Sequence, residues 1–412
     1  MSVPAIRFKE FSGDWESEDL LNVCNKIMDG THFSPKSNEG TKKYLTSKNI
    51  RNTGLDISDC NYISEEEHQE IYRKCPVKLG DILLTKDGAN TGNCCINTLH
   101  EEFSLLSSVA VLSGKEGKLN NIFLLQLFQS HKGINTINNA MAGQAISRIT
   151  LEKINKFRFS FPSLPEQTKI ANFLTAVDEK ITLLTQKATL LSQYKKGVMQ
   201  QIFSQELRFK DDDGQEFPEW EEKTLGELYS ITSSKRVFQN EWTKTGVPFY
   251  RAREVVKLSE NGFVDNELFI STEMFLEYKT KYGVPQENDL IVTGVGTIGR
   301  MYVVKASDKF YFKDGNIIWF KVINNVADSQ FVKQLFQSPI IKKQIEGNAS
   351  ITTVGTYTID SAKKTLIPYP SIPEQTKIAN LLTAIDEKIT TNQTQLNSVK
   401  QYKQGLLQQM FV

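Results

Sequence analysis

The residues of this chain with the most evident chemistry are lysines, arginines and small polar side chains in loops that also contain aromatic residues and glycines. Arg and Lys can contact the edge of a guanine or a phosphate group, and Thr and Asn can do both. These residue types in such loops favour contacts with a nucleic acid. The candidates are Thr31, His32, Lys36, Lys42, Lys43, Lys48, Asn49, Arg51, Lys86, Asn90 and Arg148 in the first half, and Lys235, Arg236, Tyr250, Arg251, Arg253, Lys257, Thr297, Arg300 and Thr356 in the second.

The sequence gives little sign of catalytic chemistry. The stretch "GVGTIG" at 294–299 has the glycine spacing of a dinucleotide fingerprint. The residues after it, "RMYVV", favour a strand, whereas the fingerprint requires a helix that receives a pyrophosphate. The stretch "DEK" at 178–180 and 386–388 falls within predicted helices, where it is typical of a solvated face. We therefore expect no catalytic residues and no bound cofactor.

Composition sets further limits. The net charge is +1, so a nucleic-acid interface would have to depend on local clusters rather than on bulk charge. The five cysteines and four histidines lack the spacing of a zinc site, and we expect reduced thiols and no metal. The apolar runs are too short to span a bilayer, and the first residues do not resemble a signal peptide. These features predict a cytoplasmic protein that does not contact a membrane.

The chain contains an internal duplication. The stretch "PEQTKIAN" occurs at 165–172 and again at 373–380, and the identity around it extends over 162–203 and 370–411. The same offset aligns "LFQS" at 127–130 with "LFQS" at 335–338. Further upstream, "RFKEFSGDWE" at 7–16 resembles "RFKDDDGQEFPEWE" at 208–221. The whole chain is therefore a variable segment and a near-constant segment, each written twice.

The near-constant segments have the heptad pattern of long helices. Apolar residues recur at alternating spacings of three and four, which is the seam of a coiled coil. The seam positions are Leu174, Val177, Ile181, Leu184, Ala188, Leu191, Lys195 and Val198 in the first segment, and Leu382, Ile385, Ile389, Asn392, Leu396, Val399, Lys403 and Leu406 in the second. The polar members Lys195, Asn392 and Lys403 either fix the register of the pair or lie at frayed ends, and the sequence leaves both interpretations open.

Each variable segment is predicted to form a domain of helices and strands, which we call a head. The stretches "GDILLTKDGANTGNCCI" and "NDLIVTGVGTIGRMYVV" predict two strands joined by a glycine loop, and residues 120–130 and 328–345 predict amphipathic helices. The predicted fold is α+β: two similar mixed α/β domains separated by a pair of long antiparallel coiled-coil helices, with pseudo-two-fold symmetry. The predicted boundaries are 1–160 and 206–368 for the two domains, and 161–205 and 369–412 for the helical spacers.

A second apolar face lies outside the seam of the first long helix. It contains Phe173, Leu183, Leu190 and Tyr194. So many apolar side chains on an open helix favour a binding surface for partner helices.

The twice-written "PS[LI]PEQTKIA" with its helix, the variable–constant–variable–constant order and "DGTHFSP" at 29–35 together resemble the specificity subunits of type I restriction–modification systems, a bacterial defence. The resemblance covers the whole chain and implies two target-recognition domains, each reading half of a split, asymmetric site in double-stranded DNA. It implies that the helices set the spacing of the half-sites and dock two methyltransferase (modification) subunits. It also implies a non-catalytic subunit, with S-adenosylmethionine, ATP and Mg on the modification and restriction/translocase partners only.

Three alternatives remain open. One is a recognition subunit for a fused, type IIG/IIB-like methyltransferase–nuclease. Another is a coiled-coil scaffold that binds only proteins, and the third is an enzyme that uses the glycine loop on a nucleotide.

Overall fold

The computed structural model describes residues 3–35, 39–142, 148–265, 268–324, 326–349 and 355–412. The chain divides into two compact units. Unit 1 consists of residues 1–186 and 393–412, and unit 2 of residues 187–392. The division falls inside two long helices, so each unit holds one mixed head and a part of both helices.

Unit 1 begins with a head of short strands and helices. Its strands are β1 (Glu16–Asp19), β2 (Cys24–Asp29), β3 (Lys42–Leu45), β4 (Ile50–Arg51), β5 (Gly54–Leu55), β6 (Asn61–Ile63), β7 (Ile82–Thr85), β8 (Cys94–Ile96), β9 (Ser104–Leu105), β10 (Val109–Gly114) and β11 (Arg158–Phe161). Its helices are α1 (Leu20–Val23), α2 (Glu65–Lys74), α3 (Asn121–Gln129), α4 (His131–Met141) and α5 (Leu151–Asn155), with a 3-10 turn at Ser47–Asn49. The first long helix, α6 (Leu164–Phe203), follows.

Unit 2 repeats this order with few changes. Its strands are β12 (Glu221–Thr224), β13 (Tyr229–Thr232), β14 (Val247–Tyr250), β15 (Phe269–Ile270), β16 (Leu290–Thr293), β17 (Met301–Val303), β18 (Tyr311–Phe312), β19 (Ile317–Val322) and β20 (Leu366–Tyr369). Its helices are α7 (Leu225–Leu228), α8 (Ala252–Asn261), α9 (Thr272–Lys281), α10 (Ser329–Leu335), α11 (Pro339–Ala349) and α12 (Ile359–Lys364), with a 3-10 turn at Gln239–Glu241, and the second long helix is α13 (Ile372–Gln409).

The sheets of the two units have the same topology. The order β2-β10-β7-β8 in unit 1 corresponds to β13-β19-β16-β17 in unit 2, and every pair in these sheets is antiparallel. The three-stranded sheets β6-β3-β9 and β15-β14-β18 both combine one antiparallel and one parallel pair. The predicted α+β class and the internal duplication are confirmed.

The two heads differ after strands β3 and β14. In unit 1 the chain forms the 3-10 turn at Ser47–Asn49 and the small hairpin β4–β5. In unit 2 the same position holds the ten-residue helix α8, whose buried face includes Val255 and Leu258. One fold therefore carries two different elements at one equivalent place.

The core of each unit lies between its four-stranded sheet, its helices and its share of the long helices. Strands β7, β10, β16 and β19 supply runs of buried aliphatic and aromatic residues, as expected for central strands. In unit 1, Leu174 and Val177 of α6 share a hydrophobic cluster with Leu406 and Met410. In unit 2, Val198 and Ile202 of α6 share the corresponding cluster with Leu382 and Ile385.

The predicted seam is confirmed along both long helices, because each of its sixteen positions is buried or half-buried. The lysines in the seam lie opposite aspartates of the other helix. In unit 1, Lys403 Nζ lies 2.6 Å from Asp178 Oδ1, and in unit 2, Lys195 Nζ lies 2.6 Å from Asp386 Oδ1. Each unit thus contains one ion pair between a seam lysine of one long helix and an aspartate of the other.

These pairs decide between the two interpretations of the polar seam residues. Lys195 is 8% exposed and also donates to Gln337 Oε1 at 2.8 Å, so it is a paired seam residue and does not lie at a frayed end. Asn392 is 2% exposed. The interpretation of "DEK" as a solvated face was wrong for its first residue, since Asp178 and Asp386 each form an ion pair across the seam.

A second correction concerns the helix predicted over 328–345. Helix α10 ends at Leu335 and α11 begins at Pro339. Proline is favoured in the first turn of a helix but cannot donate a backbone hydrogen bond within one, so the chain turns at Phe336–Ser338.

Candidate nucleic-acid interface

The repeated "PEQTKIAN" attaches each head to its long helix. Glu166 is 1% exposed, and its carboxylate accepts bonds from Nε and Nη2 of Arg7, both at 2.7 Å. In unit 2 the carboxylate of Glu374, which is fully buried, accepts from Arg208 Nη2 at 3.0 Å and Trp220 Nε1 at 2.9 Å. Each long helix thus holds the segment that precedes its head through a buried ion pair.

The glutamine of the motif orients a second element. The amide oxygen of Gln167 accepts from the backbone N–H of Asn120 at 3.0 Å, and Asn120 caps α3 through its own side chain. In unit 2, Gln375 does the same for Asp328, the cap of α10. Since α3 and α10 pack beside the central sheets, the motif positions the strands and their loops. The motif is repeated because each head needs the same attachment to its long helix.

The glycine loops are hairpin tips in both units. Strand β7 turns into β8 through residues 86–93, and β16 turns into β17 through residues 294–300. The strand that follows "GVGTIG" confirms that this stretch is no dinucleotide fingerprint. Equivalent backbone hydrogen bonds close the two hairpins: Thr85 N donates to Asn93 O at 2.8 Å, and Thr293 N donates to Arg300 O at 2.9 Å. Asn93 and Arg300 therefore occupy equivalent positions.

Two further segments converge on each hairpin. Ile149 N donates to Lys86 O at 2.8 Å, and Tyr357 N donates to Gly294 O at 2.8 Å, so Arg148 and Thr356 lie beside the loops. The element that differs between the heads lies on the other side. In unit 1, Cys94 N donates to the side chain of Asn52 at 2.9 Å, and in unit 2 Arg300 lies 3.8 Å from Glu260 of α8.

The structure thus brings together residues that are far apart in the sequence. In unit 1 these are Lys48, Arg51, Asn90 and Arg148, and in unit 2 Arg253, Lys257, Thr297, Arg300 and Thr356. We name them loop cluster 1 and loop cluster 2. His32, which follows β2, lies 3.8 Å from the carboxylate of Asp29, and that carboxylate lies 3.2 Å from Lys86 Nζ of the hairpin. Thr31 is placed by backbone bonds with Leu105 and Ser107, both at 2.8 Å.

Two of the candidate residues are buried instead. Asn49 is 1% exposed, and its side chain bonds the backbone of Thr46, Asp56 and Asp59. Lys86 is also 1% exposed and lies between Asp29 and Asp87. Both side chains hold the loops in place and are not presented to a ligand. The sequence did not indicate this, because polar residues in glycine-rich loops are mostly exposed.

Most of the other candidate cations pair with a nearby carboxylate. The shortest distances are 2.6 Å for Lys43–Glu101, 3.1 Å for Lys48–Asp59, 3.1 Å for Arg148–Asp87, 2.8 Å for Arg236–Asp314 and 3.0 Å for Arg251–Glu254. The hydrogen bond that Lys43 donates to Glu101 raises the pKa of Lys43. Where both partners are exposed, as in Lys48–Asp59, such a pair contributes about 0–1 kcal/mol, so a phosphate can replace the carboxylate at little cost.

The remaining candidates have varied surroundings. Lys42 lies 3.5 Å from Glu65, and Arg51 lies 3.8 Å from Asp56. Lys235 lies over the ring of Tyr282, and Lys257 is exposed on α8. Tyr250 is half-buried on β14, and burial raises its pKa. Lys36 is outside the described residues.

The face expected to bind partners is open at three of its four residues. Leu183, Leu190 and Tyr194 are 62%, 63% and 58% exposed. Phe173 is different, since its ring lies edge-on to Phe8 at 5.7 Å and joins the core of unit 1. The prediction of an open position was wrong for Phe173, because a segment near the start of the chain covers it.

Sequence reasoning missed the partners of the repeated motif. Arg7 and Arg208 both belong to an "RFK" that recurs with Glu166 and Glu374, and this joint repetition was a usable signal. Within the described part of the chain, no group of three or more His, Cys, Asp or Glu residues could hold a metal ion. The described helices likewise include none that is long and apolar enough to cross a membrane.

Two copies of one α+β head, with different residues in their equivalent loop clusters, are typical of a duplicated recognition protein. The family model described as "Type I restriction modification DNA specificity domain" matches residues 12–193 and again 218–401. The chain belongs to this family. The resemblance seen in the repeated motif is confirmed, and the protein is a DNA-binding specificity subunit of the type I restriction–modification class.

Several known proteins are similar. A protein of Haemophilus influenzae, named as a type I restriction enzyme specificity subunit, is 29% identical over 304 residues, which cover 73% of each chain. The MjaVIII specificity subunit of Methanocaldococcus jannaschii is 25% identical over 347 residues, 80% of this chain and 78% of its own length. Among solved structures, the S subunit from M. genitalium covers 100% of this chain and 99% of its own, with a TM-score of 0.65 at 17% identity. This last match shows a shared fold.

Proposed function

We propose that each unit reads one half of a bipartite, asymmetric sequence in double-stranded DNA. The observation that carries the proposal is the pair of loop clusters, which have one framework and different residues. Arg300 stands where unit 1 has Asn93, and Thr356 stands where unit 1 has Arg148. Two readers built from one fold would differ in this way if they contacted different bases.

Helix α8 is the element of unit 2 best suited to a major groove, which is wide enough to admit an α-helix. Arg253, Lys257 and Glu260 are exposed at spacings of four and three, so they lie along one face of this helix. Unit 1 offers Lys48 and Arg51 on a 3-10 turn and a hairpin instead. The two units should therefore recognise different bases with different geometry.

The long helices supply a ruler and a docking surface. The ion-paired seam fixes the register of α6 and α13, and a fixed register keeps a fixed number of unread base pairs between the half-sites. Leu183, Leu190 and Tyr194 bury their apolar surface against helices of the methyltransferase subunits. Tyr402, at the position of α13 equivalent to Tyr194, is 55% exposed, which supports a second docking site and hence two modification subunits for each chain.

Catalysis belongs to the partners in this proposal. The modification subunits bind S-adenosylmethionine and methylate DNA, and the restriction/translocase subunits use ATP and Mg. The chain itself is a non-catalytic subunit that works in the cytoplasm. Because its cations are largely paired with carboxylates, the partners provide much of the phosphate neutralisation, and DNA binding by the complex depends strongly on salt.

The test is selection of DNA from a random duplex pool by the purified complex with methyltransferase subunits. We expect two short motifs separated by a constant gap. Arg300→Asn, which introduces the residue of unit 1, should weaken or change one motif only, and Asn93→Ala should affect only the other. Enrichment of one uninterrupted motif would refute reading by two heads.

Stoichiometry tests the docking proposal. Native mass spectrometry at saturating methyltransferase subunit should show two copies for each chain. Leu190→Glu or Tyr194→Glu should reduce this to one copy, whereas Lys187→Glu, an exposed change on the same helix, should not. A single bound copy in the wild-type complex would contradict the proposal.

A further inference from the structure

Unit 2 contains a cavity of about 650 Å³ bounded by α6, α8, the hairpin between β16 and β17, and helices α10 and α11. Its apolar wall includes Met199, Ile298, Phe336 and Ile345. The volume lies within the range of about 300–1,000 Å³ typical of small-molecule sites. The cavity is therefore large enough for a ligand of nucleotide size.

Cationic side chains form the polar part of the wall. They are Lys195, Lys196, Arg300, Lys333 and Lys342, and two carboxylates, Glu260 and Glu346, stand among them. Lys195 is paired with Asp386, and Arg300 lies 3.8 Å from Glu260. Within the described part of the chain, Lys196, Lys333 and Lys342 form no ion pair. The cavity thus carries an excess of positive charge.

Lys333 is the most confined of these cations. It is half-buried on α10, and burial lowers its pKa; the charge of Asp386 opposes this shift, and the charges of Lys195 and Lys305 add to it. A lysine held in such a place disfavours its own charged form unless an anion is nearby. A bound anion would favour the charged form of Lys333 beyond what Asp386 does.

The duplication provides an internal comparison. The offset of 208 residues that relates the long helices also relates α3 to α10 and α4 to α11. The equivalence is structural, because Gln126 and Gln334 donate to the equivalent aspartates Asp178 and Asp386 at 2.9 and 2.7 Å. Ile137 and Ile345 likewise approach the equivalent hairpin glycines, Gly92 and Gly299.

With this alignment, unit 1 keeps Lys403 at the position of Lys195 but lacks the other four cations of the cavity. The residues at the positions of Lys333, Lys342, Lys196 and Arg300 are Leu125, Ile134, Gln404 and Asn93. These four cations are therefore present in one copy only. The scaffold does not require them, since unit 1 forms the same elements with neutral residues.

We propose that this cavity is a site for a nucleotide, whose phosphate groups contact Lys333 and Lys342 and whose base lies against the apolar wall. The concave shape favours a small phosphorylated molecule over the backbone of a rigid duplex. Unit 1 has no equivalent set of charges, so one nucleotide binds to each chain. This site adjoins loop cluster 2, since Thr297 and Arg300 line both, whereas Lys333 and Lys342 belong to the cavity and not to the cluster.

Isothermal titration of the full chain with ADP tests the proposal, with inorganic phosphate and a short DNA duplex as separate titrants. The variants Lys333→Leu and Lys342→Ile introduce the residues of unit 1 and should leave the fold intact, which thermal unfolding checks. Each should lower ADP affinity about ten-fold or more, because each removes a charge-assisted bond to phosphate. Lys279→Leu, which removes an exposed charge from α9, should leave the affinity unchanged.

Each outcome decides the matter. Saturable binding of one ADP that is lost in both variants and kept in Lys279→Leu supports the site, as does competition by inorganic phosphate. No saturable ADP binding, or binding that is unaffected by both variants, overturns it. If the variants change only the DNA titration, the cations serve the DNA backbone and the nucleotide site is refuted while the proposed DNA function stands.

Discussion

The buried ion pair between Arg208 and Glu374 allows a quantitative test of why the constant segment is written twice. Replacement of Arg208 by Met keeps much of the aliphatic volume and removes both guanidinium bonds to a carboxylate that is fully buried. Removal of one partner of a buried pair costs about 3–5 kcal/mol, because the other charge stays buried. Trp220 still donates to Glu374, so we expect the lower end, about 3 kcal/mol.

The measurement is urea unfolding with hydrogen exchange resolved along the chain. Exchange should quicken in α13 near Glu374 and in β12, and remain unchanged in the head of unit 1. Arg208→Lys should lower the free energy of unfolding by less than Arg208→Met, since lysine keeps the positive charge although it cannot form the bidentate pair. The double variant Arg208→Met with Glu374→Gln should recover part of the loss, because no charge then remains buried.

The matched control is Arg7→Met in unit 1, where the equivalent bonds to Glu166 are both 2.7 Å long. It should destabilise unit 1 by at least as much, because the Trp220 bond that moderates the loss belongs to unit 2, and it should leave unit 2 unchanged. A loss below about 1 kcal/mol for Arg208→Met, which is the range of exposed pairs, would refute the reasoning. A double variant that is less stable than Arg208→Met would refute it as well.

Three further predictions concern the seam, the pH dependence of unit 1 and the spacing of the half-sites. Lys195→Met should destabilise unit 2 by about 1–3 kcal/mol in thermal unfolding, since the pair with Asp386 is only partly exposed. The exchange Lys195→Asp with Asp386→Lys should restore part of this stability. If the double variant instead loses the sum of the two single losses, the ion pair is contradicted. His68 is buried against Ser104 and burial lowers its pKa, so the unfolded chain binds the proton more readily than the folded chain. The stability that neutral His68 contributes is therefore present above the unfolded pKa of about 6.5 and is lost as pH falls through the folded pKa. Urea unfolding of unit 1 between about pH 7 and 5 should show this loss, and a slope that persists in His68→Asn would assign it to another group. Insertion of four residues after Gln186 adds about 6 Å of helix and should widen the unread gap by one or two base pairs. The gap is measured by mapping the methylated sites. An active variant with an unchanged gap would show that these helices do not set the spacing.

The regular parts of the fold were predictable from the sequence. The heptad stripe identified each seam position, because a period of 3.5 is imposed by helix geometry over many residues. The glycine loops were identified as hairpin tips because a strand pattern lies on both sides. The break between α10 and α11 was missed, since an apolar pattern alone does not show that Pro339 begins a new helix.

Contacts between distant parts of the chain were less predictable. The aspartate partners of Lys195 and Lys403 lie on the opposite helix, and only the antiparallel register brings them together. Asn49 and Lys86 have the composition of exposed loop residues, and their burial depends on tertiary contacts with Asp56, Asp59 and Asp29. The loop clusters likewise arise from topology, which places β7–β8, the segment after β3 and residues 148–150 side by side.

The central claim, that each unit reads one half of the DNA site, is tested most directly by exchange of residues 206–368 for the second head of another family member. The modified positions would be mapped by methylation-sensitive sequencing in cells that also express the methyltransferase subunits. Two independent readers predict a hybrid site in which one half is new and the other half and its methylated base persist. A change in both halves, or in neither, would contradict the claim.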